Sequence, residues 1–184
     1  LYLYGGLFDI IAAWLEPRSS LLVWDLRHLL TAVFGLSAIY ACYLTGKLLV
    51  SRRAGFLAAL LLTLTGAWSG ALFTHTKDIP FGMAMIWAVY FSTRVVLQLP
   101  KPAWGPVLGA GISIGAALGL RVGGLFAALY LGAGVLAMLL ARGSSLRDAG
   151  SKLVIALPRL AVAGMAAILV MGLAWPWAVM GWHN

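Results

Sequence analysis

Long apolar runs dominate the chain, divided by short polar breaks, and most are close to the roughly 20 residues that a helix needs to cross a hydrocarbon core about 30 Å thick. From Asp25 one run continues to Val50, broken only by Arg27-His28 near its start and Lys47 near its end. Arg52-Arg53 separate it from a second run, Ala54 to Phe73. The polar cluster His75-Thr76-Lys77-Asp78 precedes a third, Ile79 to Val96, in which Pro80 suits the first helical turn because its missing N–H would be unpaired there anyway. Asp78 then falls at or near the N-cap, where its carboxylate can accept bonds from free N–H groups and complement the helix dipole. After Arg94 and Pro100-Lys101-Pro102 comes a glycine-rich run from Trp104 to Leu120, whose Gly109, Gly111, Gly115 and Ala117 suit close packing in lipid. Arg121, Gly123 and Gly124 turn the chain into a fifth run ending near Leu140. The longest polar loop, Arg142 to Lys152, leads to a sixth run from Leu157 to Trp177, and Trp182 and His183-Asn184 end the chain.

These runs are continuously apolar rather than alternating, which favours helices over a barrel. The expected fold is therefore all-α: a polytopic transmembrane bundle with about six spanning helices over residues 25–184, in one transmembrane domain. The opening differs. Gly5, Gly6 and Asp9 interrupt it and Glu16-Pro17-Arg18-Ser19-Ser20 closes it, so residues 1–24 are expected to form an interfacial segment with Tyr2, Tyr4 and Trp14 at headgroup level.

Composition agrees, with 62% hydrophobic and 10% charged residues among 184; membrane lipids are the surroundings such a chain requires. The net charge of +8 does not change the picture towards nucleic acid, because the basic residues are scattered between spans instead of forming one stripe. Cys42 is the single cysteine, which excludes an internal disulfide or a multi-cysteine metal site and leaves a packing role. No signal-peptide pattern follows Leu1, and apolar sequence runs up to both ends, so the chain reads as a fragment of a larger membrane protein.

Charge does sort the loops. Lys47, Arg52, Arg53, Arg94, Lys101, Arg142, Arg147, Lys152 and Arg159 fall on one set of alternate loops, and Arg18, Arg27, Lys77 and Arg121 on the other. The richer set is expected to be cytoplasmic. Asp9, Glu16, Asp25 and Asp78 lie with the poorer set and only Asp148 with the richer. Asp9, Asp25, Arg27, His28, His75, Lys77, Asp78 and Arg121 are thus expected at one non-cytoplasmic face. Charges near hydrocarbon are costly and point to function, although each taken singly could simply anchor its helix by snorkelling.

A face of this kind suits a lipid-linked sugar donor. Cleaving the sugar–phosphate bond puts negative charge on the departing lipid phosphate, which fixed cations stabilise. Lys77, Arg121, Arg27 and His75 are the candidate phosphate binders, arginine having the fork that grips phosphate oxygens. Asp78 is the first candidate for general base or for holding the acceptor or a divalent metal, with Asp25, His28 and Asp9 as secondary candidates. The same charges could instead line the cavity of a transporter or flippase for a lipid or small solute, but no convincing internal repeat supports that alternative. A non-catalytic scaffold would need no such clustering.

The segment Leu72 to Phe91, LFTHTKDIPFGMAMIWAVYF, resembles the Lys-Asp-x-Pro-Phe signature of bacterial family 39 glycosyltransferases, the dolichyl-phosphate-mannose protein mannosyltransferase-like group of the GT-C superfamily. YLYGGLFDI (Tyr2 to Ile10), LRHLLTAVFGL (Leu26 to Leu36) and LGLRVGGL (Leu118 to Leu125) resemble the same group in the same order. The resemblance implies an inner-membrane enzyme that moves a sugar from a polyprenyl-phosphate donor to a lipid or protein acceptor outside the cytoplasm, without a nucleotide-sugar site. It matches Asp78 to the acidic position of the second outer loop, and Lys77 and Arg121 to recurrent basic positions. Members also carry an acid in a first outer loop after an initial helix, usually taken as the base. No such helix and loop precede Tyr2, so the principal carboxylate is expected to lie outside this chain. His75-Thr76 departs from the asparagine and small residue common in relatives.

Overall fold

The computed structural model describes residues 5–143 and 145–176. Tyr2, Tyr4, Trp177, Trp182 and His183-Asn184 lie outside the described residues. In chain order the helices are α1 (Leu7–Leu15), a 3-10 turn (Glu16–Arg18), α2 (Val23–Leu49), α3 (Arg52–Leu64), α4 (Gly66–Ala71), α5 (Asp78–Leu97), α6 (Trp104–Leu118), a second 3-10 turn (Val122–Gly124), α7 (Leu125–Arg142) and α8 (Leu146–Ala174). No strand occurs among the described residues. Paired helices satisfy the backbone internally, as lipid requires.

Four helical stretches are long and apolar enough to cross a membrane: Val23–Leu49, Asp78–Leu97, Val122–Arg142 and Leu146–Ala174. Two of the expected spans take other forms. The second run breaks at Thr65, whose extended backbone ends α3 after 13 residues and starts the six-residue α4. β-Branched Thr63 and Thr65 followed by Gly66 are poor helix formers, and apolar continuity had hidden that. The fourth run forms α6 of only 15 residues, a rod of about 22 Å.

Helix α6 is the axis of the bundle, with α5 on one side and α8 on the other, while α2 links α5 to α3 and α7 lies against α5 and α8. Small residues set these distances. A Cβ on Gly111 or Gly115 would press on the backbone of Ala163 or Ala167 in α8, one turn apart, the close approach that small residues at four-residue spacing permit in lipid. Gly46 of α2 and Gly55 of α3 meet in the same way, closing that hairpin. Outward-facing residues such as Phe56 and Leu61 on α3, Leu129 and Leu136 on α7, and Ile168 and Leu169 on α8 are exposed, as a lipid-facing surface is.

The polar contacts define two ends. At one, the Gly5 N–H donates to the Leu120 carbonyl (3.2 Å) and the Gly6 N–H to the Ala174 carbonyl (2.9 Å), so α1 docks on the last turns of α6 and α8. The starts of α2 and α5 lie there too, through Arg27–Asp9 and Arg121–Asp78 contacts. At the other end Arg142 Nη1 donates to the Leu97 carbonyl (3.4 Å) and Lys152 Nζ to the Arg142 carbonyl (3.1 Å). Arg159 lies 5.4 Å over the Trp104 ring at that end. Asp9, Arg27, Asp78 and Arg121 thus lie at one end, and Arg142, Lys152 and Arg159 at the other.

Candidate active site at the α1 end

Helices α1, α2 and α5, with the turns that follow α1 and α6, supply the polar groups of this end, and one apolar cluster supports them. Phe8 and Ala12 of α1, Ala84 of α5, and Ala117 and Leu120 at the end of α6 are buried together, with Leu30, Phe34 and Phe81 packed against them. Phe8 and Phe34 meet edge to face at 6.0 Å. Two arginines rest on rings of this cluster: Arg27 at 6.0 Å from the Phe8 centroid and Arg121 at 5.7 Å from that of Phe81. A guanidinium over an aromatic face keeps its donors free to point sideways while its flat surface is covered.

Each arginine is held by acids from a different element. Arg27 Nη1 donates to Asp9 Oδ1 at 2.9 Å and its Nε to Glu16 Oε1 at 3.4 Å; its side chain is 26% exposed. It therefore joins α1, the following turn and α2. Arg121 Nη2 contacts Asp78 Oδ1, the side chains being 33% and 50% exposed. This pair closes the start of α5 on the end of α6 across 43 residues of sequence (121 − 78).

Asp78 is the first residue of α5 and Lys77 occupies the cap position without a side-chain capping bond. The carboxylate turns to Arg121 rather than closing its own helix terminus. Lys77 is exposed beside it and is engaged by other groups of the protein. His75 is exposed, its Nδ1 3.1 Å from Thr74 Oγ1. Asp25 and His28 are exposed on the first turns of α2, with no hydrogen-bond or ion-pair partner among the described residues.

The structure therefore gathers the candidates into two groups on one apolar floor: Asp9, Glu16 and Arg27 in one, and Lys77, Asp78 and Arg121 in the other. Asp25, His28 and His75 surround them without joining either ion pair. Glu16 was not among the sequence candidates; its place before Pro17 in the closing turn of the amphipathic opening was the available signal. Phe81, the ring beneath Arg121, is the final residue of the Lys-Asp-x-Pro-Phe motif. No group of three or more His, Cys, Asp or Glu side chains able to hold a metal ion occurs among the described residues, so a divalent ion would need ligands from substrate or elsewhere.

Comparison with the curated proteins and with the solved structures gave no match. The family model of dolichyl-phosphate-mannose-protein mannosyltransferase matches residues 23–175, the stretch from the first residue of α2 to just past α8. With most of its length matched, the chain belongs to the dolichyl-phosphate-mannose-protein mannosyltransferase family, membrane glycosyltransferases of the mannosyltransferase type.

Proposed function

We propose that the α1 end is the sugar-transfer face of a family 39, GT-C-type glycosyltransferase of a bacterial inner membrane. On this reading it takes a sugar from a polyprenyl-phosphate donor and passes it to a lipid or protein acceptor on the non-cytoplasmic side. The observation that carries the proposal is the Arg121–Asp78 pair, which joins α5 to α6 above Phe81 within the Lys-Asp-x-Pro-Phe motif.

In the reaction, the acceptor oxygen attacks the anomeric carbon while the bond from that carbon to the phosphate oxygen breaks, leaving the electron pair on the lipid phosphate. Arg121 and Lys77 are the cations assigned to that developing charge, worth most when oriented beforehand. Asp78 orients the Arg121 guanidinium, the group assigned to the phosphate oxygens. Arg27 is committed to two carboxylates and is assigned to holding α1 over the site, with phosphate contact a lesser role. Removal of the acceptor proton needs a carboxylate; Asp78, Asp25 and Asp9 are the candidates within this chain.

The test uses the full-length protein in membranes. Arg121→Ala and Asp78→Asn are expected to abolish sugar transfer while the protein still inserts; near-normal transfer in both would remove the site assignment. Sidedness is tested separately in a Cys42→Ser background. Thr76→Cys and Val122→Cys should label with an impermeant thiol reagent in intact cells, and Arg52→Cys and Leu146→Cys should not. Labelling of positions 76 and 122 from opposite sides would rule out a shared phosphate site.

A further inference from the structure

Two cavities meet at Leu139, the larger running there from Leu118, the last residue of α6 and three residues before Arg121. The larger, of about 500 Å³, runs between α7 and α8 with α6 behind it, and every residue lining it is apolar or glycine. Gly132 of α7 and Gly164 of α8 both line it, and a Cβ at either would meet no atom within 4 Å. The two helices therefore leave the channel bare where a side chain would have filled it. In a bilayer such a channel must hold hydrocarbon, because water there would find no polar partner.

The smaller cavity, of about 120 Å³, extends the channel beyond Leu139 to Pro100, Arg142 and Lys152. Its walls are basic. Arg142 makes one long bond to the Leu97 carbonyl (3.4 Å), and Lys152 is bonded to the Arg142 carbonyl and to Asp148 at 2.7 Å. Asp148 is the one acid among the residues from Lys101 to the end of the chain, against Lys101, Arg121, Arg142, Arg147, Lys152 and Arg159. An apolar channel thus opens onto paired cations at the depth where a spanning helix ends.

We infer that this composite groove binds an anionic diacyl phospholipid, its chains between α7 and α8 and its phosphate against Arg142 and Lys152. Charge complementarity selects this occupant: basic pockets between membrane helices take anionic headgroups, and while Lys152 is paired with Asp148, Arg142 has no acid partner among the described residues. The isoprenoid tail of a sugar donor would enter this channel from the Leu118 end, with its phosphate at Arg121 and not at Arg142 and Lys152, and the test below separates the two occupants. The inference does not depend on the sugar-transfer reading.

The test is a titration of the purified full-length protein, delipidated in mild detergent. Dioleoyl phosphatidylglycerol and dioleoyl phosphatidylcholine, identical in their chains, are added separately and thermal unfolding is followed. The anionic lipid should stabilise the wild type at the lower mole fraction. The double variant Arg142→Gln, Lys152→Gln should need about 30-fold more of it, from about 1 kcal/mol per basic residue at 1.4 kcal/mol per factor of ten. Gly164→Leu, or Gly132→Leu entering from the other helix, should abolish saturable stabilisation by both lipids. Equal response of the wild type to the two lipids would overturn the proposal, as would an anionic preference that survives the double variant. It also fails if a polyprenyl phosphate occupies the groove in preference, indifferent to Arg142 and Lys152 but weakened by Arg121→Ala, because the channel then serves the donor.

Discussion

The two ends of the bundle use charge in opposite ways. At the α1 end, acids and bases come from elements far apart in sequence, Asp9 and Glu16 with Arg27 and Asp78 with Arg121, and both arginines lie over rings of one buried cluster. At the Arg142 end the ion pair is local, Lys152 with Asp148 four residues earlier on the same helix, while Arg142 leans on a carbonyl, Arg159 on a tryptophan ring, and Lys47 and Arg94 on tyrosine rings. Pairs between elements fix how helices meet and orient guanidinium groups towards a common space. Local pairs decorate a helix that would form without them. The α1 end is balanced, Asp9, Glu16, Asp25 and Asp78 against Arg18, Arg27, Lys77 and Arg121, whereas the Arg142 end has a surplus of base.

That contrast can be broken most severely at Arg121. Arg121→Ala should lower sugar transfer by about 100-fold or more, the loss typical of a preorganised group facing developing charge, with little change in the amount of inserted protein. Gly5→Ala should act on stability instead. Its Cβ would run into the Gly119 carbonyl, and displacing α1 should cost about 1–3 kcal/mol, read as a lower melting temperature of the detergent-solubilised protein. Arg27→Gln should cost about 1 kcal/mol and leave Arg121 in place, so transfer should fall less than in Arg121→Ala. Smallest is Lys152→Ala: a part-exposed pair at four-residue spacing, its side chains 30% and 31% exposed, is worth about 0.3–0.5 kcal/mol, and transfer in a standard membrane assay should not change. If Lys152→Ala impaired transfer as much as Arg121→Ala, the ends would not be functionally distinct.

Much of this arrangement can be read from the order of apolar runs. Continuous hydrophobicity bounded by Arg52-Arg53, Lys77-Asp78 and Arg121 marks the helices, and alternate loops already separate the two sets of charges. Sorting by face brings Asp78 and Arg121 to one end, but only the packing of α5 on α6 makes them partners. Two boundaries escape a hydropathy reading because local backbone chemistry decides them. Ser145 and Asp148 stand three residues apart, and the Ser145 hydroxyl accepts from the Asp148 N–H at 3.2 Å, so α8 starts within what reads as a polar loop. Thr65 similarly ends α3 inside an apolar run. Glu16 escaped notice for another reason: its value lies in reaching Arg27, and nothing in the spacing of the two reports the fold of α1 against α2.

Helix α6 also bears on how the enzyme sits in its bilayer. Its 15 residues span about 22 Å against a hydrocarbon layer about 30 Å thick, and Trp104 at its start suits an interfacial anchor. With Trp104 placed at one interface, the shortfall of about 8 Å would fall at the Arg121 end, and a locally thinner membrane would close it. Turnover should accordingly follow acyl-chain length, rising in thinner bilayers and falling in thicker ones.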